Sequence, residues 1–98
     1  MIVQRHRLHV SENTREELTV NLPVDAQVLC VHHYGLPHGY VELVEMHTEG
    51  AGTETSPRRF MVIDAYCSAP VTVDHDKLRY IDKLPFDNHV WTFFELLD

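Results

Sequence analysis

Two cysteines, four glycines and one tryptophan are all that this 98-residue chain has of three residue types that often mark a special site. Two cysteines are too few for a secreted disulfide framework or a cysteine-rich metal cage. Cys30 and Cys67 each fall within or at the end of an expected strand, where a lone thiol behaves as a small buried hydrophobe. Sequence alone leaves open whether the two pair. The glycines form no phosphate-cradling loop, since Gly50-Ala51-Gly52 leads into neither a helix pattern nor a lysine. No stretch approaches the roughly 20 apolar residues that span a membrane. Met1-Ile2-Val3-Gln4-Arg5 lacks the apolar run of a secretion signal, so a cytoplasmic location off the membrane is expected. Basic residues are also short, 8 against 15 acids. The resulting charge of −7 opposes general attraction to nucleic acid or anionic lipid.

What the chain has in quantity is valine, isoleucine and threonine in alternation with polar residues, the period of a half-buried strand. Hydrophobic residues make up 44%, which suits one folded domain over residues 1–98 rather than a disordered chain. Ile2–Val10 reads as a first strand with His6, Leu8 and Val10 on one side and Arg5, Arg7 and His9 on the other. Leu18, Val20 and Leu22 alternate with polar neighbours as a second, and Ser11-Glu12-Asn13-Thr14 predicts a hairpin between them. Val28–Tyr34, Tyr40–His47, Arg58–Ile63, Leu78–Leu84 and Val90–Leu97 complete the set, separated by turn-rich segments such as Tyr34-Gly35-Leu36-Pro37-His38-Gly39. The expected fold is all-β: about seven short, mainly antiparallel strands in a small sandwich or partly open barrel.

The last strand is unusual because both its faces are apolar. Val90, Thr92, Phe94 and Leu96 lie on one side, and Trp91, Phe93 and Leu97 on the other, broken only by Glu95. Trp91 and Phe93 would each bury roughly 150–250 Å², or about 8–12 kcal/mol together at about 25 cal/mol per Å². That upper bound rivals the ~5–15 kcal/mol stability of a whole domain. Either a second sheet or a second subunit must cover them. Trp91, Phe93 and Leu97 are therefore candidate interface residues of a homo-oligomer.

No reagent set stands out. His32 and His33 are adjacent, and His6 and His9 fall on opposite strand faces, so neither pair converges on a metal. Asp74-His75-Asp76 would need further ligands from elsewhere. Cys67 and Ser68 have no glycine-rich elbow, and Glu42 and Glu45 face opposite ways. No catalytic residue, metal or cofactor is assigned, and the chain is expected not to be an enzyme. A weaker candidate is a ligand site made of Arg58, Arg59 and Arg79 with Tyr80 and Trp91. Arginine forks grip phosphate and aromatic rings stack on bases, so such a set suits a phosphate-bearing nucleotide.

One ordered series of motifs adds a resemblance. Leu22-Pro23-x-x-Ala26 leads into Val28-Leu29-x-Val31 and then Val41-Glu42-Leu43-Val44. Arg58-Arg59-Phe60-x-Val62, Tyr80-Ile81 and Val90-Trp91-x-Phe93-Phe94-Glu95 follow. This order, over about residues 16–97, resembles a family of short phage-encoded proteins of unknown function. The chain departs from that pattern at Asp64-Ala65-Tyr66-Cys67, where members carry a glycine-rich turn, and at Asp82-Lys83. The resemblance implies a phage accessory protein in the host bacterial cytoplasm that inhibits or redirects a host protein, including one of anti-phage defence. It also accommodates an oligomeric sponge for a nucleotide immune signal, and a virion or assembly component. The acidic run Glu42–Glu54 is a second candidate for contact with a host protein.

Overall fold

In the computed structural model, residues 1–11, 15–50, 54–64, 70, 72–73, 76–86 and 89–97 are described. Alternating side chains set the architecture, because every strand offers one apolar side to a common interior. The strands are β1 (Ile2–His9), β2 (Arg15–Pro23), β3 (Gln27–His32), β4 (Tyr40–His47), β5 (Thr55–Asp64), β6 (Leu78–Phe86) and β7 (His89–Leu96). Among the described residues there is no helix. A three-stranded sheet in the order β1-β4-β3 packs on a four-stranded sheet in the order β2-β5-β7-β6, and every ladder is antiparallel. The all-β reading of the sequence holds, and neither sheet closes into a barrel.

The expected β1–β2 hairpin does not form. β1 pairs with β4 and β2 with β5, so the chain changes sheets between them. Leu8 of β1 and Leu18 of β2 pack on the same core cluster from opposite sheets. At the crossing, the Val10 N–H donates to the Gly39 carbonyl at 2.7 Å. Gly39 has φ +86°, the left-handed region that favours glycine, and a Cβ there would crowd the His9 ring at 3.3 Å. β5 also begins earlier than expected, because Thr55, Ser56 and Pro57 pair with Pro23, Leu22 and Asn21.

The interior holds two contiguous clusters. Val10, Val31, Val41, Val62, Leu84, Trp91 and Phe93 form one; Val20, Leu22, Ala26, Leu43 and Phe60 form the other, with Leu8 and Ile81 packed against both. Trp91 and Phe93 are each 1% exposed. Of the two covers that the sequence allowed, it is the second sheet that buries them, within a single chain. They are therefore not surface rings, and of the three candidate interface residues only Leu97, 41% exposed beyond the end of β7, faces solvent.

The outer side of β7 is partly covered. Met61 and Leu96 lie on the outer face of the four-stranded sheet, yet they are 0% and 6% exposed. Tyr80 stands edge-on to Phe94 there, with ring centroids 6.0 Å apart. β5 and β6 both run antiparallel to β7 and hence parallel to each other, so their connection has to cross the sheet. Part of that connection is tied down where Arg15 Nη1 donates to the Thr72 carbonyl at 2.7 Å. Within one chain the inner face of β7 is buried and its outer face, with Val90, Thr92 and Phe94, is half-buried.

The two long margins of the sandwich differ. Along one, β3 and β6 abut: the Val31 N–H donates to Asp82 Oδ2 at 3.1 Å, and His33 Nε2 reaches the Pro85 carbonyl at 3.2 Å. Both strands carry register shifts there, at Val28/Cys30 and at Tyr80/Asp82. Along the other margin β1 and β2 are the terminal strands of their sheets.

Candidate functional site

The arginine and aromatic set can now be placed. Glu95 stands opposite Phe60 on β5 and Arg79 on β6, so its side chain points inward with those of Trp91 and Phe93. Arg58 is on the same side of β5 as Phe60 and meets it there. Its Nε and Nη2 donate to the two oxygens of Glu95 at 2.6 and 2.8 Å, a bidentate fork, and Nη1 donates to the Ala26 carbonyl. Arg79 Nη2 adds a third bond to Glu95 Oε1 at 2.5 Å. Burial opposes charge on Glu95, but the bonds and charges of Arg58 and Arg79 outweigh it and hold the carboxyl below the ordinary glutamate range.

Arg59 is on the opposite face of β5, where its Nε donates to Glu17 Oε1 at 2.9 Å. Tyr80 is 55% exposed on that outer face, while Trp91 is interior. The five candidate ligand residues therefore divide: Arg58 and Trp91 are on the inner side, Arg79 reaches Glu95 from the inner side of β6 with its side chain 55% exposed, and Arg59 and Tyr80 face outward. No pocket forms among the described residues. A phosphate approaching Arg58 would have to displace a carboxylate already held by two arginines. The geometry makes this set a structural ion-pair cluster.

A second buried acid lies in the other sheet and escaped the reading of histidine spacing. Glu45 is 0% exposed, and it accepts from His6 Nε2 at 2.8 Å and from His47 Nδ1 at 2.7 Å. His47 is its near neighbour on β4, but His6 comes from β1, which a linear spacing rule does not see. The signal that was available is sidedness. Glu45 shares its strand parity with Val41 and Leu43, and Glu95 shares its parity with Trp91 and Phe93. An acid on the buried side of a strand announces a partner. Among the described residues, no group of three His, Cys, Asp or Glu side chains has the geometry to hold a metal ion.

The acidic run Glu42–Glu54 is divided by the strand it occupies. Glu45 is internal, Glu42 is half-buried on the outer face beside Arg5 at 3.9 Å, and Glu49 and Glu54 are exposed. The β2–β3 turn adds Asp25 near by: the Thr48 N–H donates to Asp25 Oδ2 at 3.0 Å, and the Val24 N–H to the Glu54 carbonyl at 3.3 Å. Hydrogen bonds from Thr48 hold the Asp25 carboxyl below its ordinary range. One end of the sandwich thus presents Asp25, Glu49 and Glu54 together.

Cys30 carries a free thiol, and burial together with the charge of Asp82 raises its pKa, so it is a poor nucleophile. Cys67, Ser68 and the Asp74-His75 pair lie outside the described residues. Comparison with protein-family models, with curated proteins and with solved structures finds no match.

Proposed function

We propose that this protein acts by binding a protein partner and performs no chemistry of its own, as a phage accessory protein that inhibits or redirects a host protein in the bacterial cytoplasm. One observation carries the reading: the inward-facing arginines and the His6–His47 pair are bonded to internal carboxylates, and no pocket forms among the described residues. Contact then falls to the outer surface. The end bearing Asp25, Glu49 and Glu54, on a chain of net charge −7, complements a basic cleft of the kind that binds nucleic acid.

The test is capture from bacterial lysate, followed by measuring how the identified protein binds nucleic acid. Wild type is expected to suppress that binding, and the triple variant Asp25→Lys/Glu49→Lys/Glu54→Lys to leave it intact. Equal suppression by both proteins would refute the acidic end as the contact. Turnover of any substrate by the purified protein, abolished by one histidine substitution, would refute the non-enzymatic reading. Thermal-shift measurements against signalling nucleotides are expected to show no stabilisation that depends on Arg58 or Arg59.

A further inference from the structure

The open margin carries opposite charges on its two strands. β1 bears Arg5 and Arg7 and no acid; β2 begins Arg15-Glu16-Glu17. Among the described residues both strands end their sheets, and each has one edge without a ladder partner. β1 is also the most exposed strand, its eight residues pairing with β4 from Ile2↔His47 to His9↔Tyr40 with no register shift and no proline. The opposite margin is guarded differently, by the Asp82 and His33 bonds, by two register shifts and by Pro85. Among the described residues nothing comparable interrupts β1, and an uninterrupted edge is a template for another strand.

We propose that a second copy of this chain docks on this margin, β1 of one protomer pairing with β2 of its partner and the reverse. The topology permits it in a closed form. A two-fold axis parallel to the strands brings the three-stranded sheet of one copy beside the four-stranded sheet of the other, giving two continuous seven-stranded sheets. β1 and β2 run in opposite directions: β3 and β6 advance together from Val31–Asp82 to His33–Pro85, β1 is parallel to β3 through β4, and β2 is antiparallel to β6 through β5 and β7. The new β1–β2 ladders are therefore antiparallel, like every ladder within the chain. Such an axis keeps each residue at its own height along the strands. Arg7, two residues from the end of β1, then falls level with Glu17, two residues from the start of β2, and both lie on the outer side of their strands.

Charge favours this pairing over β1 against β1. An antiparallel β1–β1 ladder brings Arg5 of one copy toward Arg7 of the other, whereas β1 against β2 sets Arg7 toward Glu17, which also accepts from Arg59. Like charges opposed across a ladder destabilise it. The half-buried Leu8 and Leu18 sit on the inner side of the same two strands, so docking also shields the mouth of the core. The interface is independent of Trp91 and Phe93 and of the acidic end.

The experiment is molecular mass in solution at low salt, up to about 100 µM, where even weak contacts populate. Wild type is expected to be a dimer. Arg7→Glu and Glu17→Lys, at exposed positions, should each weaken self-association by about tenfold or more through like-charge opposition. Mixed in equal amounts, the two variants should recover a heterodimer, because each then offers the charge the other lacks. Circular dichroism and thermal melting check that both variants are folded. A wild-type monomer throughout the range overturns the proposal. So does a dimer that both variants form as strongly as wild type, and so does a failure of the folded, mixed variants to associate.

Discussion

Two buried carboxylates hold the two sheets in different ways. Glu95 is met by two arginines, one of them through a bidentate fork, and Glu45 by two histidines through one ring nitrogen each. Guanidinium is a permanent cation, whereas imidazole donates a ring N–H to an acid without needing to carry charge. The first cluster is therefore a permanent ion-pair triad, while the second is held by one hydrogen bond from each of two imidazoles. Removing Arg58 takes from a buried carboxylate its bidentate counter-charge; removing His47 takes one hydrogen bond from a carboxylate that keeps another.

That contrast gives an order of effects. Arg58→Met should cost about 3–5 kcal/mol in denaturant unfolding, since Glu95 keeps only the more exposed Arg79. Arg58→Met/Glu95→Leu should cost far less than the single change, because the stranded charge leaves with its partner. Equal loss in both would show that packing, not charge, dominates there. His47→Phe should cost about 1–3 kcal/mol, the range for one buried hydrogen bond, with His6 still bonded to Glu45. A loss as large as that of Arg58→Met would erase the distinction between the two clusters.

Acid titration separates them further. The Glu95 pKa is depressed in the fold, so its contribution is present above the ordinary glutamate value of about 4.3 and is lost as pH falls through the folded value. Glu95→Gln should flatten stability against pH across that acid window, measured by urea midpoints at each pH. An unchanged slope would place the acid sensitivity elsewhere. The smallest effect belongs to the outer face: Arg59→Ala should shift stability by less than about 1 kcal/mol, as the Arg59–Glu17 pair is solvent-exposed.

Much of the fold was legible from alternation alone. β4 occupies the expected Tyr40–His47, and its Val41, Leu43 and His47 turn inward in step. Strand partners are not legible, because the alternation of Leu8 and of Leu18 fits a hairpin in one sheet as well as two strands facing each other across a core. In sequence the arginines read as cations, while Glu95 reads as a break in an apolar face. Glu95 on the Trp91 side was itself the clue. His6 and Glu45 are 39 residues apart, so no local pattern joins them; only the β1–β4 ladder does.

The seam at Asp82 gives the protomer a spine, like that of a book. Fastened along β3 and β6, the two sheets resist parting there, and any opening starts at the fore-edge, where β1 and β2 stand. Amide hydrogens of β1 and β2 should then exchange with deuterium well before those of β4 and β7 in dilute solution, and Asp82→Ala should let Val31 exchange early as well.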